Sequence, residues 1–374
     1  MRGADLTIPM YLRGTRKYET IALGKWNLGG KGTKGAPFEK GFNHWMGFVD
    51  QVHANNHYPT FVWRYEPGIR GVNSWNGDVQ IHANHGRRAV YSTDLLTKAA
   101  LNTIRIYRPS WETGFRPFFL YLSFTAPHAN NELARKTGQG MEVPTDYPYT
   151  GERWPRAEKN KAAIITRLDN AVGQIMVKLK EYNMEEDTVI FFTSDNGPHQ
   201  EGGNDPAFFR SAGPFRGIKR SLNEGGLRVP MIVRWPGEVK PGTLCDTPVI
   251  SMDFYPTFLE VAGLNSGKQP IDGESLVQLF KQSGELKRKA IYFHYPNYAW
   301  HMGNRLGSVI REGDWKLIRN YDDNSLELYN LSKDLSEKRN LAQQQPKLAA
   351  RLNRQLGKWL KETNAPMPRP PLSN

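Results

Sequence analysis

Two apolar runs rich in aromatic and β-branched residues, 117–124 and 188–193, flank a long amphipathic stretch. That order constrains the fold more than any other feature of the chain. Within 161–182, Ile164, Ile165, Leu168, Val172, Ile175 and Leu179 fall on one helical face. Strand, helix, strand is a βαβ unit, and it calls for a parallel sheet covered by helices. The spacing of Leu95, Ala99 and Ile104 predicts a further helix over 94–106. After residue 290 the texture changes to short alternating strands, at 290–295, 307–311, 315–319 and 326–331, with Glu312-Gly313-Asp314 as a hairpin turn. An amphipathic helix through Leu348, Leu352, Leu356 and Leu360 follows. The expected class is therefore α/β, a mostly parallel central sheet flanked by helices, plus a small C-terminal antiparallel sheet with a packed helix. The expected domains are 1–285 and 286–374. Residues 1–20 show no clear element.

Open α/β sheets place ligands at the carboxyl ends of their strands, so the residues that end each run are the candidates. The run at 188–193 stops at Asp195-Asn196-Gly197-Pro198, where Gly and Pro force a turn. A carboxylate beside an amide oxygen suits a hard cation, but an Asn-Gly turn with a capping Asp has the same sequence. The run at 117–124 leads to His128, a residue type that is more often structural after a strand. Lys25 lies in a Gly-rich turn after a short apolar strand, and Lys219 precedes a turn at Glu224-Gly225-Gly226. A lysine in such a loop, taken alone, reads as solvated. Asp169-Asn170 reads as an exposed helix face, and Asp253 as a helix cap. His53, Asn55, Asn56 and His57 are placed to contact a sugar, with Tyr58, Trp63 and Tyr65 as an aromatic platform. An aromatic-rich loop packed on the core explains the same residues equally well.

The formal net charge of +13 favours anionic partners. The basic residues are spread out, with no nucleic-acid motif, so a sulfated polysaccharide fits this field as well as DNA does and no nucleic-acid partner is expected. No run of eighteen apolar residues occurs, which argues against a membrane-spanning helix. The single Cys245 excludes an internal disulfide, and it is expected to be a small buried hydrophobe.

The motifs together are specific. GKWNLGG at 24–30, PFFLYLSFTAPH at 117–128, SDNG at 194–197, GIK at 217–219, EGGLRVP at 224–230, WPG at 235–237 and ELYNLSKDLSEKRNLA at 327–342 follow in one order. The chain resembles the type I, formylglycine-dependent sulfatases of the alkaline-phosphatase-like superfamily. The resemblance implies a calcium site with Asp195 and Asn196 as ligands, and sulfate contacts from Lys25 and Lys219. It makes His128 a sulfate contact or general acid, with His199 and His53 as candidate substrate contacts. It implies a sulfuric ester hydrolase acting on a sulfated carbohydrate or aryl sulfate, periplasmic or secreted. Asn27 stands where many members carry a His that meets the nucleophile, and Asn cannot act as acid or base. Asn43 stands where the family usually has Asp. The C/S-x-P-x-R motif that matures to formylglycine is absent from the 374 residues, as is the N-terminal Asp pair. In the family both precede GKW, so the chain is expected to be N-terminally truncated and inactive as written, with an incomplete metal site. An inactive sulfated-glycan-binding remnant is the alternative; a phosphodiester hydrolase would need two-metal ligand spacings that are missing.

Overall fold

The computed structural model describes residues 5–16, 18–66, 78–110, 114–267, 269–297 and 305–368. The chain divides into two compact units: 1–190 with 201–204 and 234–283, and 191–200 with 205–233 and 284–374. The second unit takes up two central segments as well as the C-terminal one, so neither unit is a continuous stretch of chain.

The first unit is built on a five-stranded sheet in the order β4-β3-β2-β1-β5. Its strands are β1 (Glu19–Lys25), β2 (His44–Phe48), β3 (Phe61–Tyr65), β4 (Asp78–Gln80) and β5 (Phe118–Ser123). β1 runs parallel to β2 and to β5, and β3 and β4 add an antiparallel edge. Both faces of β1 are covered, which is why its residues are almost uniformly apolar. Ile21 and Leu23 pack with Phe48, Leu96 and Ala100 on one side, and Ala22 packs with Trp26, Phe42 and Trp45 on the other. The helices of this unit are α1 (Ile8–Arg16), α2 (Gln51–Asn55), α3 (Ser92–Ile106), α4 (Asn131–Thr137) and α5 (Arg156–Glu181).

The second unit holds a two-stranded sheet, β6 (Ile190–Thr193) with β7 (Met231–Arg234), and a single helical turn, α6 (Glu224–Leu227). Two short helices of the first unit, α7 (Phe254–Val261) and α8 (Val277–Phe280), come next in the chain. The second unit then forms an antiparallel sheet ordered β11-β10-β9-β8, from β8 (Ala290–Tyr295), β9 (Gly307–Glu312), β10 (Trp315–Asn320) and β11 (Leu326–Asn330). Alternation along β10 sends Leu317 to one face, where α9 (Pro346–Glu362) lays Leu352, Leu356 and Leu360 on it. Burial of each such side chain contributes about 1.5–3 kcal/mol. The opposite face buries Ile318 with Leu222, Val309 and Tyr329.

Several expectations need correction. The first twenty residues contain a helix, because Leu12 is buried and Tyr11 donates a 2.9 Å hydrogen bond to the Ser266 carbonyl, tertiary contacts that no local pattern announces. The buried stripe of α3 is Leu96, Ala100 and Ile104, one position on from Leu95 and Ala99. α5 starts earlier, just after Pro155, and Ile165 is exposed on it. The expected βαβ unit does not close into one sheet: β5 pairs with β1 at the edge of the five-stranded sheet, whereas β6 pairs with β7 in a separate two-stranded sheet, and both strands are half-buried, with Tyr121 exposed. Cys245 is exposed in a loop beside the fully solvated Leu244. Asp253 is buried and does not cap α7; its carboxylate accepts the Ile250 and Glu274 amides instead.

Candidate functional site

β1 and β5 are parallel neighbours with Gly24 opposite Ser123, so their carboxyl ends open at the same rim of the sheet. Lys25 closes β1 there, and the Thr125–His128 turn follows β5. Lys25 is half-buried and its Nζ donates to Gln51 Oε1 at 2.5 Å. Gln51 follows β2, whose carboxyl end lies at the same rim. It passes a hydrogen bond to Asn55, and Asn55 donates to Glu132 at 3.0 Å. Two side-chain amides thus link the ammonium to the Glu132 carboxylate.

His128 is held by a compact shell. Its Nδ1 lies 2.7 Å from the Ala129 carbonyl and its Nε2 lies 3.3 Å from Glu201 Oε2. Its own carbonyl is 2.7 Å from His57 Nε2. His57 is fully buried and stacked on Tyr91, and that burial lowers its pKa below the ordinary histidine value. Burial also pushes the Tyr91 hydroxyl pKa well up, and its proton is given to the Glu142 carbonyl. The Glu142 carboxylate accepts from Asn130 at 2.5 Å and pairs with Arg88, whose guanidinium lies 4.4 Å over the Tyr58 ring.

In the second unit β6 runs into Asp195-Asn196, where Asp195 is exposed and Asn196 and His199 are half-buried. The turn leans on the α6 glycines: Gly197 donates its N–H to the Gly226 carbonyl at 3.1 Å. The Lys219 N–H donates to the Pro198 carbonyl at 2.8 Å, so the lysine loop and the Asp-Asn turn share one hydrogen-bonded frame. A Cβ on Gly225 would stand 2.2 Å from the Gly217 carbonyl oxygen, so only glycine lets these strands of backbone approach. Glu224, buried, anchors the frame: it meets Lys316 at 2.9 Å and Arg311 at 3.2 Å, and its N–H donates to Glu337 at 2.7 Å. Lys316, also fully buried, reaches Glu337 at 2.9 Å.

The predicted residues therefore divide. Lys25, His128 and His53 belong to the first unit, and Asp195, Asn196, His199 and Lys219 to the second. His53 is turned inward: its Nε2 faces the Phe61 carbonyl at 3.0 Å, its ring sits against Phe48 and Phe61, and burial lowers its pKa. Asn55 and His57 are buried, and the three aromatics form no common platform. Tyr58 lies against Tyr91, Tyr65 stacks on Phe38, and Trp63 packs edge-on to Phe61. Glu201, Glu142, Lys316 and Glu337 were not foreseen. Lys316 carried a signal, a lysine at an inward position of an alternating strand.

One carboxylate and one amide have the hard-oxygen chemistry of a calcium site, yet such an ion takes six to eight oxygens. Among the described residues no group of three or more His, Cys, Asp or Glu could hold a metal, so these residues alone do not make up that site. Among them, too, no helix is long and apolar enough to cross a membrane.

Residues 4–264 match the sulfatase family model, and residues 216–365 match the model described as N-sulphoglucosamine sulphohydrolase, C-terminal. A sulfatase from Formosa agariphila is 34% identical over 275 residues, covering 67% of this chain and 47% of the relative. N-acetylgalactosamine-6-sulfatase of Canis lupus familiaris is 28% identical over 284 residues, 74% of this chain and 49% of that protein. The chain thus spans about half the length of these curated relatives. The solved structure of Ps i-CgsB in complex with k-i-k-neocarrahexaose superposes with a TM-score of 0.72 at 26% identity, over 91% of this chain and 71% of that one.

Proposed function

Because this chain belongs to the sulfatase family, we propose that it carries the sulfate-recognising part of a sulfuric ester hydrolase acting on sulfated carbohydrate. The observation that carries this reading is the family match across Lys25, His128 and Lys219, with the first two at the carboxyl rim of neighbouring parallel strands. A sulfate ester presents anionic oxygens. In the first unit the Lys25 ammonium and the His128 imidazole are donors suited to them and to charge that develops as the ester oxygen leaves, and in the second unit the Lys219 ammonium is a donor of the same kind. The carbohydrate class is supported by the oligosaccharide bound to Ps i-CgsB and by the name of the canine relative. The 51–66 segment does not add to it, since its aromatics are spent on packing.

The formylglycine precursor motif is not among these 374 residues, so no covalent step is assigned to any residue here. These residues bind and polarise a sulfate ester. Asp195 and Asn196 offer two oxygen donors, and no step is routed through an ion on them.

Calorimetric titration with a carrageenan oligosaccharide and its desulfated counterpart tests the reading. Binding is expected only for the sulfated form, with a loss of roughly tenfold or more in Lys219→Ala, the scale of one charged hydrogen bond. Equal affinity for both sugars would overturn it. Hydrolysis of 4-nitrophenyl sulfate by these residues alone is expected not to exceed that of the Lys219→Ala variant.

A further inference from the structure

We propose that Glu201 is a positioning residue that keeps His128 doubly protonated, so that His128 meets sulfate as a fixed cation and not as a base. The role rests on the reading of His128 as a sulfate contact; the charge state does not.

The two ring nitrogens carry the argument. Nδ1 is 2.7 Å from the Ala129 carbonyl oxygen and Nε2 is 3.3 Å from Glu201 Oε2. Both neighbours are acceptors. A neutral imidazole has one N–H, so either tautomer would set a lone pair against an oxygen. Only the imidazolium donates on both sides, and a carboxylate beside it favours that form.

The approach of Glu201 is built into the backbone. Gly202 takes a left-handed φ of +76°, and a Cβ there would lie 2.5 Å from the Ala129 Cβ. The Gly140 N–H donates to the Gly202 carbonyl at 2.9 Å, and the Asn130 N–H donates to the Gly140 carbonyl at 2.8 Å. The Glu201 segment is thereby tied to the residues that follow His128. Its carboxylate is nearly buried, where a charge pair is weakly screened.

Several described ionisable groups around the turn have other partners. Glu142 holds Arg88 and Asn130, and Glu132 accepts from Asn55. Glu158 and Lys161 on α5 face each other at 4.0 Å, and His57, its pKa lowered by burial, meets the His128 carbonyl through Nε2 and Ser92 Oγ at 3.4 Å through Nδ1. The Glu201 carboxylate is set directly against the ring, at 3.3 Å from Nε2.

The test is the titration of His128 by NMR in the full chain labelled at imidazole nitrogen, assigned with His128→Gln. A midpoint at least about one unit above the ordinary value near 6.5 is expected. It should fall by about a unit or more in Glu201→Gln and stay raised in Glu201→Asp. A wild-type midpoint at or below the ordinary value overturns the proposal without any variant. So does a raised midpoint that Glu201→Gln leaves in place. Inorganic sulfate, titrated in parallel, separates the two readings. Affinity that falls as His128 deprotonates supports the role in sulfate binding, whereas a Glu201-dependent midpoint with sulfate affinity indifferent to it overturns that role alone.

Discussion

The His128 turn and the Lys219 loop each present a basic side chain, but they are held by different physics. Around His128 the supports are mostly neutral: a backbone carbonyl on Nδ1, the buried His57 on its own carbonyl, and the Asn130 amide, with one carboxylate directly on the ring. The Lys219 loop is clamped by matched charges, Glu224 and Glu337 against Lys316 and Arg311. A shell of neutral donors and acceptors can respond to one proton. A buried cluster of two anions and two cations keeps its geometry only while every member is present. The difference teaches that one basic group is placed where protonation decides its state, and the other where the backbone alone matters.

The strongest way to break this comparison is Lys316→Met. It strands two buried carboxylates and should cost about 3–5 kcal/mol in urea unfolding. A loss below about 1 kcal/mol would mean that the cluster is no anchor. Next come two glycines. Gly225→Ala and Gly202→Ala each force a Cβ into occupied space and should cost about 1–3 kcal/mol. Only Gly202→Ala should move the His128 titration, whereas Gly225→Ala should make the Lys219 loop more sensitive to limited proteolysis. If both variants shift His128 equally, the two devices are not separate.

A third measurement uses acidity. Burial lowers the folded-state pKa of His57 below its unfolded value of 6.5, so the unfolded chain binds more protons as pH falls through that value. The His57 contribution is complete above 6.5 and should be lost progressively below it, seen as a falling melting temperature. In His57→Gln that component of the slope should vanish; an unchanged slope would place the acid sensitivity elsewhere. The smallest effect is expected at Arg351→Ala, which removes an exposed pair with Glu312 at 2.6 Å and should cost only about 0.2–1 kcal/mol. It calibrates what an ion pair contributes in the same unit without burial.

Much of the architecture was legible in the residues. The C-terminal strands and their hairpin turn appear almost where period-two alternation puts them, because each strand there buries its faces against local partners. The α3 stripe was off by one position, and α1 was missed. Tertiary contacts, not local spacing, decide which neighbouring residue faces inward. The candidate residues came from strand ends, Gly-rich turns and the family motifs. Their partners were not legible there. Glu201 stands 73 positions from His128 in the sequence, and Lys316 stands 92 from Glu224. No local pattern links such pairs.

By itself, then, the sequence determined the mixed α/β class, the long α5 helix, the antiparallel C-terminal sheet and the family, all of them consequences of short-range periodicity and motif. The tertiary structure alone decided that Tyr58 packs against Tyr91 while Trp63 and Tyr65 pack on the Trp26, Phe42 and Trp45 core, and that Cys245 faces solvent. It alone set a carboxylate on His128 and a buried lysine beneath Glu224. Burial and charge pairing depend on which distant segments meet, and only the folded chain brings them together.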